Sequence, residues 1–118
     1  MKKEDSLNVA VANYIRLQYP SVFFAHIPNG GSRNVKEAVK LKRMGIRKGM
    51  PDLMLFHRKY FKDKSTYAGL FIELKIKPNK PTDEQIFAMS ELRKNGWNGG
   101  VCYDFESAKL LIDSYILN

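Results

Sequence analysis

The chain has a single cysteine, Cys102, so no intrachain disulfide can form and no thiolate metal cluster can be assembled. Any metal must sit on oxygen or histidine ligands, and the histidines number only 2, His26 and His57. No apolar run approaches the roughly 20 residues of a membrane span. The opening residues Met1-Lys2-Lys3-Glu4-Asp5 lack the apolar stretch of a signal peptide, so the expected location is the cytoplasm. Internal repeats and low-complexity segments are absent. Acids are scarce as well: 12 Asp and Glu stand against 20 Lys and Arg, a net charge of +8. A membrane surface also attracts cations, but such an excess favours a polyanionic partner such as a phosphate backbone.

What is present is enough for one domain, spanning 1–118. The 118 residues, 44% of them hydrophobic, can close a real core but are too few for two. The chain is organised around Phe71-Ile72-Glu73-Leu74-Lys75-Ile76, which reads as a strand. Side chains alternate on a strand, so Leu70, Ile72, Leu74 and Ile76 form one apolar face while Phe71, Glu73 and Lys75 share the other. Charge on a sheet face needs a partner or a job. Upstream, Gly49-Met50-Pro51-Asp52 leads into a second apolar strand, with an acid at its entrance.

Helical spacing of Leu7, Ala10, Val11, Tyr14 and Ile15 predicts an amphipathic helix over 6–19, stopped by Pro20. If that helix starts earlier, Glu4 falls on its buried face; otherwise Glu4 is a first-turn acid complementing the dipole. A strand over 22–27 and a turn through Pro28-Asn29-Gly30-Gly31-Ser32 follow, then a short helix over 34–44 ended by Gly45. Arg33, Lys36, Lys40, Lys42, Arg43, Arg47 and Lys48 face a single acid, Glu37, over that stretch. So one-sided a run favours phosphate contacts over a merely solvated face. Strand 52–57 and a polar connection over 58–69 lead into the central strand. Thr82 and Gln85 then form a capping box that opens a helix running to Asn95-Gly96. A strand at Val101-Cys102-Tyr103 and a last helix capped by Asp104 complete an α/β sheet with helices on both faces. His26 and His57 read as packed core or surface residues rather than ligands, Trp97 as a cover for the core edge rather than a base-stacking platform, and Tyr14, Tyr19 and the phenylalanines as core.

Asp52 and Glu73, at adjoining strands, can bring two carboxylates together, and hard oxygen ligands of that kind suit Mg²⁺. The Leu74 carbonyl can add a third ligand, and Lys75 can steady an attacking hydroxide and the charge on phosphorus. The plainer alternative is a surface ion pair between Glu73 and Lys75, of little energetic value.

Pro51-Asp52 followed by Glu73-Leu74-Lys75 resembles the PD-(D/E)XK nuclease pattern, and its surroundings resemble the VRR-NUC branch. The likeness extends over Glu4, the Ile27-Pro28-Asn29-Gly30-Gly31 loop, Gly45 through Leu53, Gly69 through Lys75, and Gln85. It implies a restriction-endonuclease-like mixed sheet flanked by helices. It also implies that Asp52, Glu73 and the Leu74 carbonyl hold Mg²⁺ (Mn²⁺ substituting), with Lys75 as catalytic lysine. Glu4, or Asp5 in another helix register, would reach the metal through water, and Gln85 would orient the site. The small free-standing members, many phage-encoded, form homodimers, so the resemblance implies a dimeric endonuclease preferring branched DNA such as four-way (Holliday) junctions, in a bacterial cytoplasm. A non-catalytic DNA-binding module of the same fold and an RNA-directed nuclease are the alternatives.

Overall fold

The strand at the centre of the sequence is also the centre of the sheet. A computed structural model describes residues 1–28 and 34–118; Arg33 and the Asn29-Gly30-Gly31-Ser32 part of the expected loop lie outside the described residues. The elements are α1 (Lys3–Gln18), β1 (Phe24–His26), α2 (Val35–Arg43), β2 (Leu53–Leu55), β3 (Lys59–Tyr60), β4 (Thr66–Tyr67), β5 (Gly69–Leu74), α3 (Asp83–Lys94), β6 (Trp97–Cys102) and α4 (Phe105–Leu117). The main sheet has the order β1-β2-β5-β6. β1 and β5 each run antiparallel to β2, and β6 lies parallel to β5, reached through α3 as the crossover.

β5 is covered on both faces, and its alternation sorts two cores. Leu70, Ile72 and Leu74, with Leu53 and Leu55 of β2, pack against Val11 and Ile15 of α1 and Ala108, Ile112 and Tyr115 of α4. Phe71 and Met54 point the other way, against Met89 of α3, with Leu92 and Trp97 closing the edge. Burying a large apolar side chain contributes about 1.5–3 kcal/mol, so the two layers hold the charged end of β5 in place.

Side-chain caps open three of the helices, two of them as expected at the box of Thr82 and Gln85 and at Asp104, the third at Asn34. Asn34 Oδ1 accepts from the Lys36 and Glu37 amides, Asp104 Oδ1 accepts from the Ser107 amide, and Thr82 and Gln85 exchange both bonds of the capping box. α1 begins three residues earlier than the apolar spacing indicates, with Glu4 and Asp5 in the first turn at the positive end of the dipole. β6 begins at Trp97 rather than Val101. Gly99 and Gly100 are poor strand formers, yet a Cβ on Gly99 would lie 2.4 Å from the Phe71 ring, so the absence of a side chain is what lets β6 close on β5. The 58–69 connection contains the small β3–β4 hairpin. Not every aromatic is core: Phe23 and Phe87 are largely exposed. Tyr14 and Tyr19 are half-buried and both donate to Asp113 Oδ1 at 2.6 Å, tying α1 to α4.

Gly49 positions the entry to β2. Its φ is +86°, and a Cβ there would meet the Glu84 carbonyl group at 2.7 Å and the Gln85 nitrogen at 2.9 Å. Backbone sign and close approach to α3 both require glycine. Gly49→Ala should therefore lower unfolding stability by about 2–3 kcal/mol, read in urea denaturation; a loss below about 0.5 kcal/mol would show that the segment shifts freely.

Candidate active site

Asp52 stands one residue before β2, and the register Leu53 to Ile72 places it across from Glu73. Its main chain and side chain are both tied down. The Asp52 carbonyl accepts from the Ile27 amide at 2.9 Å and from His26 Nδ1 at 2.8 Å. A carbonyl only accepts, so His26 carries its proton on Nδ1. The carboxylate reaches the other way, where Oδ2 accepts from the Leu74 amide at 2.7 Å. Asp52 thus bridges β1 and β5 at the mouth of the sheet.

Glu73 is 1% exposed, and its Oε2 has no hydrogen-bond partner among the described residues. Glu4 reaches the same point from the first turn of α1. One carboxylate oxygen each from Glu4, Asp52 and Glu73 lie within 4.8 Å of one another. Two full charges at that range repel by about 3 kcal/mol at an effective dielectric constant near 20. Burial pushes the Glu73 carboxyl up to about 9, helped by its hydrogen bond with Asp52 and the Asp52 charge, while Lys75 opposes the rise and Glu4 adds to it. A buried, unpartnered carboxylate oxygen facing two more acids is suited to a cation. The donor set is all oxygen, which suits a hard divalent ion.

Lys75 follows on the Glu73 side of the strand and is also buried, its amide extending the sheet through the Cys102 carbonyl at 3.0 Å. No ion pair within 4.0 Å joins Glu73 to Lys75 among the described residues, where the pairs are Lys94 with Glu91 and Lys109 with Asp113. The surface ion-pair reading therefore fails on burial and on distance. Gln85 is buried at the start of α3, its Oε1 accepting from the Thr82 amide at 2.8 Å. Its capping role is met, and the cap fixes the carboxamide. Asp5 is exposed, so Glu4 is the first-helix acid that turns inward. Lys36, Lys40, Lys42, Arg43, Arg47 and Lys48 are all exposed, and none belongs to the acid cluster. His57 is structural: its carbonyl accepts from the buried Tyr115 hydroxyl at 2.5 Å. His26, read from the sequence as a bystander, anchors Asp52; only the antiparallel register of β1 on β2 reveals it.

A mixed sheet carrying an acid before one strand and Glu-x-Lys on its antiparallel neighbour defines a restriction-endonuclease-like fold. The VRR-NUC domain family matches residues 2–105, and the chain belongs to that family, a family of DNA nucleases in general terms. Among solved structures, a "VRR_NUC domain protein" superposes with a TM-score of 0.77 at 28% identity, over 99% of this chain and 90% of that one. A second, a "VRR_NUC domain", has a TM-score of 0.54 at 21% identity, over 92% and 96% of the two chains, and supports the fold alone. No curated protein matches.

The raised Glu73 carboxyl gives a pH signature without metal. Below about 4.5 the carboxyl is protonated in both states; between about 4.5 and 9 the unfolded chain loses the proton that the folded chain keeps. The folded state then binds more protons, so stability falls as pH rises through that window. In EDTA, Glu73→Gln should flatten this slope and raise stability at pH 8 by about 2 kcal/mol. Parallel wild-type and variant curves in denaturation from pH 5 to 9 would contradict it.

Proposed function

We propose that this protein is a metal-dependent endonuclease that hydrolyses phosphodiester bonds in DNA. The observation that carries the reading is the buried, unpartnered Glu73 oxygen facing Asp52 and Glu4, with Lys75 beside it. Asp52, Glu73 and the Leu74 carbonyl would hold Mg²⁺, or Mn²⁺ in its place, and Glu4 would contribute through water. Such an ion would offset charge on the phosphoryl oxygen and make a nearby water more acidic. Lys75 orients that water toward phosphorus and offsets the charge that develops there. Gln85, its carboxamide set by the cap, would orient the site, and an α3 N-terminus facing the phosphate would add a favourable field.

Substrate binding falls to the basic stretch. Helical geometry puts Lys36, Lys40 and Arg43 on one face of α2 and Val35, Ala38, Val39 and Lys42 on another. The first face is open to a phosphate backbone, and contacts of that kind are salt-sensitive and largely blind to sequence. The second borders an apolar hollow of about 880 Å³, with Ile46 and Phe87. Lys42, Arg47 and Lys48 line it together with Asp83 and Glu84. A two-fold axis would set the acids of one copy against the bases of the next, which supports a homodimer with two sites. Paired sites favour a branched substrate such as a four-way junction, whose shape is itself two-fold.

Cleavage of a labelled four-way junction, beside linear duplex, single-stranded DNA and RNA, tests the reading in Mg²⁺ and in Mn²⁺. Junction cleavage should dominate, and Glu73→Ala and Lys75→Ala should each lower it by about a hundredfold to a thousandfold. Junction binding with no cleavage under either ion would make the chain a binding module, and preferential RNA cleavage would reassign the substrate. For the dimer, Val39→Glu should turn a dimeric mass in light scattering into a monomeric one; a wild-type monomer, with or without DNA, would remove the two-site argument.

A further inference from the structure

A second hollow lies beside the acid cluster, between α1 and the outer edge of the sheet, with a volume of about 310 Å³. Asn8, Ala12 and Arg16 line its helix side, and Phe24 and His26 its strand side. Among the described residues, β1 pairs only with β2, so its other edge is open. The bonds from Ile27 N–H to the Asp52 carbonyl and from Phe56 N–H to the Phe23 carbonyl set the alternation along β1. By that alternation the main-chain groups of Phe24 and His26 point away from β2, toward the open edge.

The hollow has the equipment to hold a flat, polar-edged ring. Arg16 Cζ sits 5.5 Å from the centroid of the Phe24 ring, while its Nη1 donates to Asn13 Oδ1 at 3.2 Å. A guanidinium held over an aromatic ring is a platform on which a nucleobase can stack. Asn8 Oδ1 is buried without a hydrogen-bond partner among the described residues, so turning that carboxamide toward a ligand forfeits no bond of this oxygen to them. Two of its lining residues connect it to the residues of the acid cluster. His26 is bonded to the Asp52 carbonyl, and Asn8 lies one helical turn beyond Glu4, about 6 Å along α1. Its volume is at the small end of ligand pockets, suited to one nucleotide and too small for a duplex.

We propose that this hollow holds a single unpaired nucleotide of the DNA strand next to the scissile phosphodiester, its base stacked on Arg16 over Phe24 and its polar edge met by Asn8 and the open edge of β1. The proposal rests on the nuclease reading for the identity of its ligand. It gives that reading a reason for choosing branched DNA, since a base pair at a branch point ends a helical arm and opens at lower cost than one inside a continuous stack.

An abasic scan tests it. Labelled four-way junctions carrying one abasic site at each position around the branch are titrated with protein in EDTA, by fluorescence anisotropy, for wild type, Arg16→Ala and Asn8→Ala. At one position, or two adjoining ones, removing the base should weaken wild-type binding about tenfold, and Arg16→Ala should be indifferent to the same removal. Asn8→Ala should show the same indifference in smaller measure. If the effects of Arg16→Ala and the missing base multiply independently at every position, or if no junction is bound, the pocket assignment is overturned. Cleavage is read separately: cutting without coupling refutes the pocket and leaves the nuclease standing, whereas coupling without cutting upholds the pocket and refutes the nuclease.

Discussion

The bond from the Leu74 amide to Asp52 Oδ2, 2.7 Å long, is the constraint on which the rest of the site depends. It lies where β2 gives way to the loop from Gly49, so the Asp52 side chain takes the place of a main-chain rung and clamps two antiparallel strands. The clamp turns the carboxylate toward β5 and holds it opposite Glu73. A hydrogen bond to a charged acceptor contributes about 1.5–3 kcal/mol, comparable with the repulsion it imposes between the two acids. The site is therefore held together by the same residue that makes it electrostatically unfavourable. Without a cation the conflict is relieved by keeping a proton on Glu73; with one, the proton is unnecessary.

The third acid arrives by a longer route. Glu4 is in the first turn of α1, while the helix is anchored further along by Val11 and Ile15 against β5 and α4. Beyond them, Asp113 accepts from Tyr14, Tyr19 and Lys109, and although burial works against its ionisation, those bonds keep it below the usual carboxylate range. Tyr14 and Tyr19 both stand near the C-terminal end of α1, so this cluster fixes that end of the helix. An α-helix rises 1.5 Å per residue and bends little over such a span, so fixing its far end sets where Glu4 lies. The apolar face of the sheet thus positions an acid that it does not touch.

Much of this was legible in the sequence, because it was written in local chemistry. Thr82, Gln85 and Asp104 announce their helix starts through hydrogen bonds made within three residues, and the alternation in 70–76 separates the apolar face from the charged one. The pairing of Asp52 with Glu73 across 21 positions follows from reading their strands as neighbours, and the family resemblance supplied the roles of the residues around them. What was not legible depends on neighbours distant in sequence. The expected strand begins only at Val101, because Gly99 gives no strand signal until the Phe71 ring is placed against it. The early start of α1 follows from acids in its first turn that apolar spacing does not count. His26 looks like any strand histidine until the antiparallel register sets it against the Asp52 carbonyl.

The division of labour between core and surface has a consequence for how such a small domain can change. α2 buries no residue, yet it carries Lys36, Lys40, Lys42 and Arg43 and an unpartnered apolar face. It adds little to the cores around β5, so substitutions on it leave the clamp, the acids and Lys75 where they are. The acid cluster, in contrast, is anchored by the buried Glu73 of β5, with Asp52 and Glu4 half-buried beside it. On the proposed reading, charge on α2 would govern how tightly a polyanion is held and how steeply salt weakens that hold, while the chemistry at phosphorus would depend on atoms fixed by packing. Much of the affinity and the chemistry would then lie on structurally separate parts of one chain, so binding could vary widely without disturbing the site.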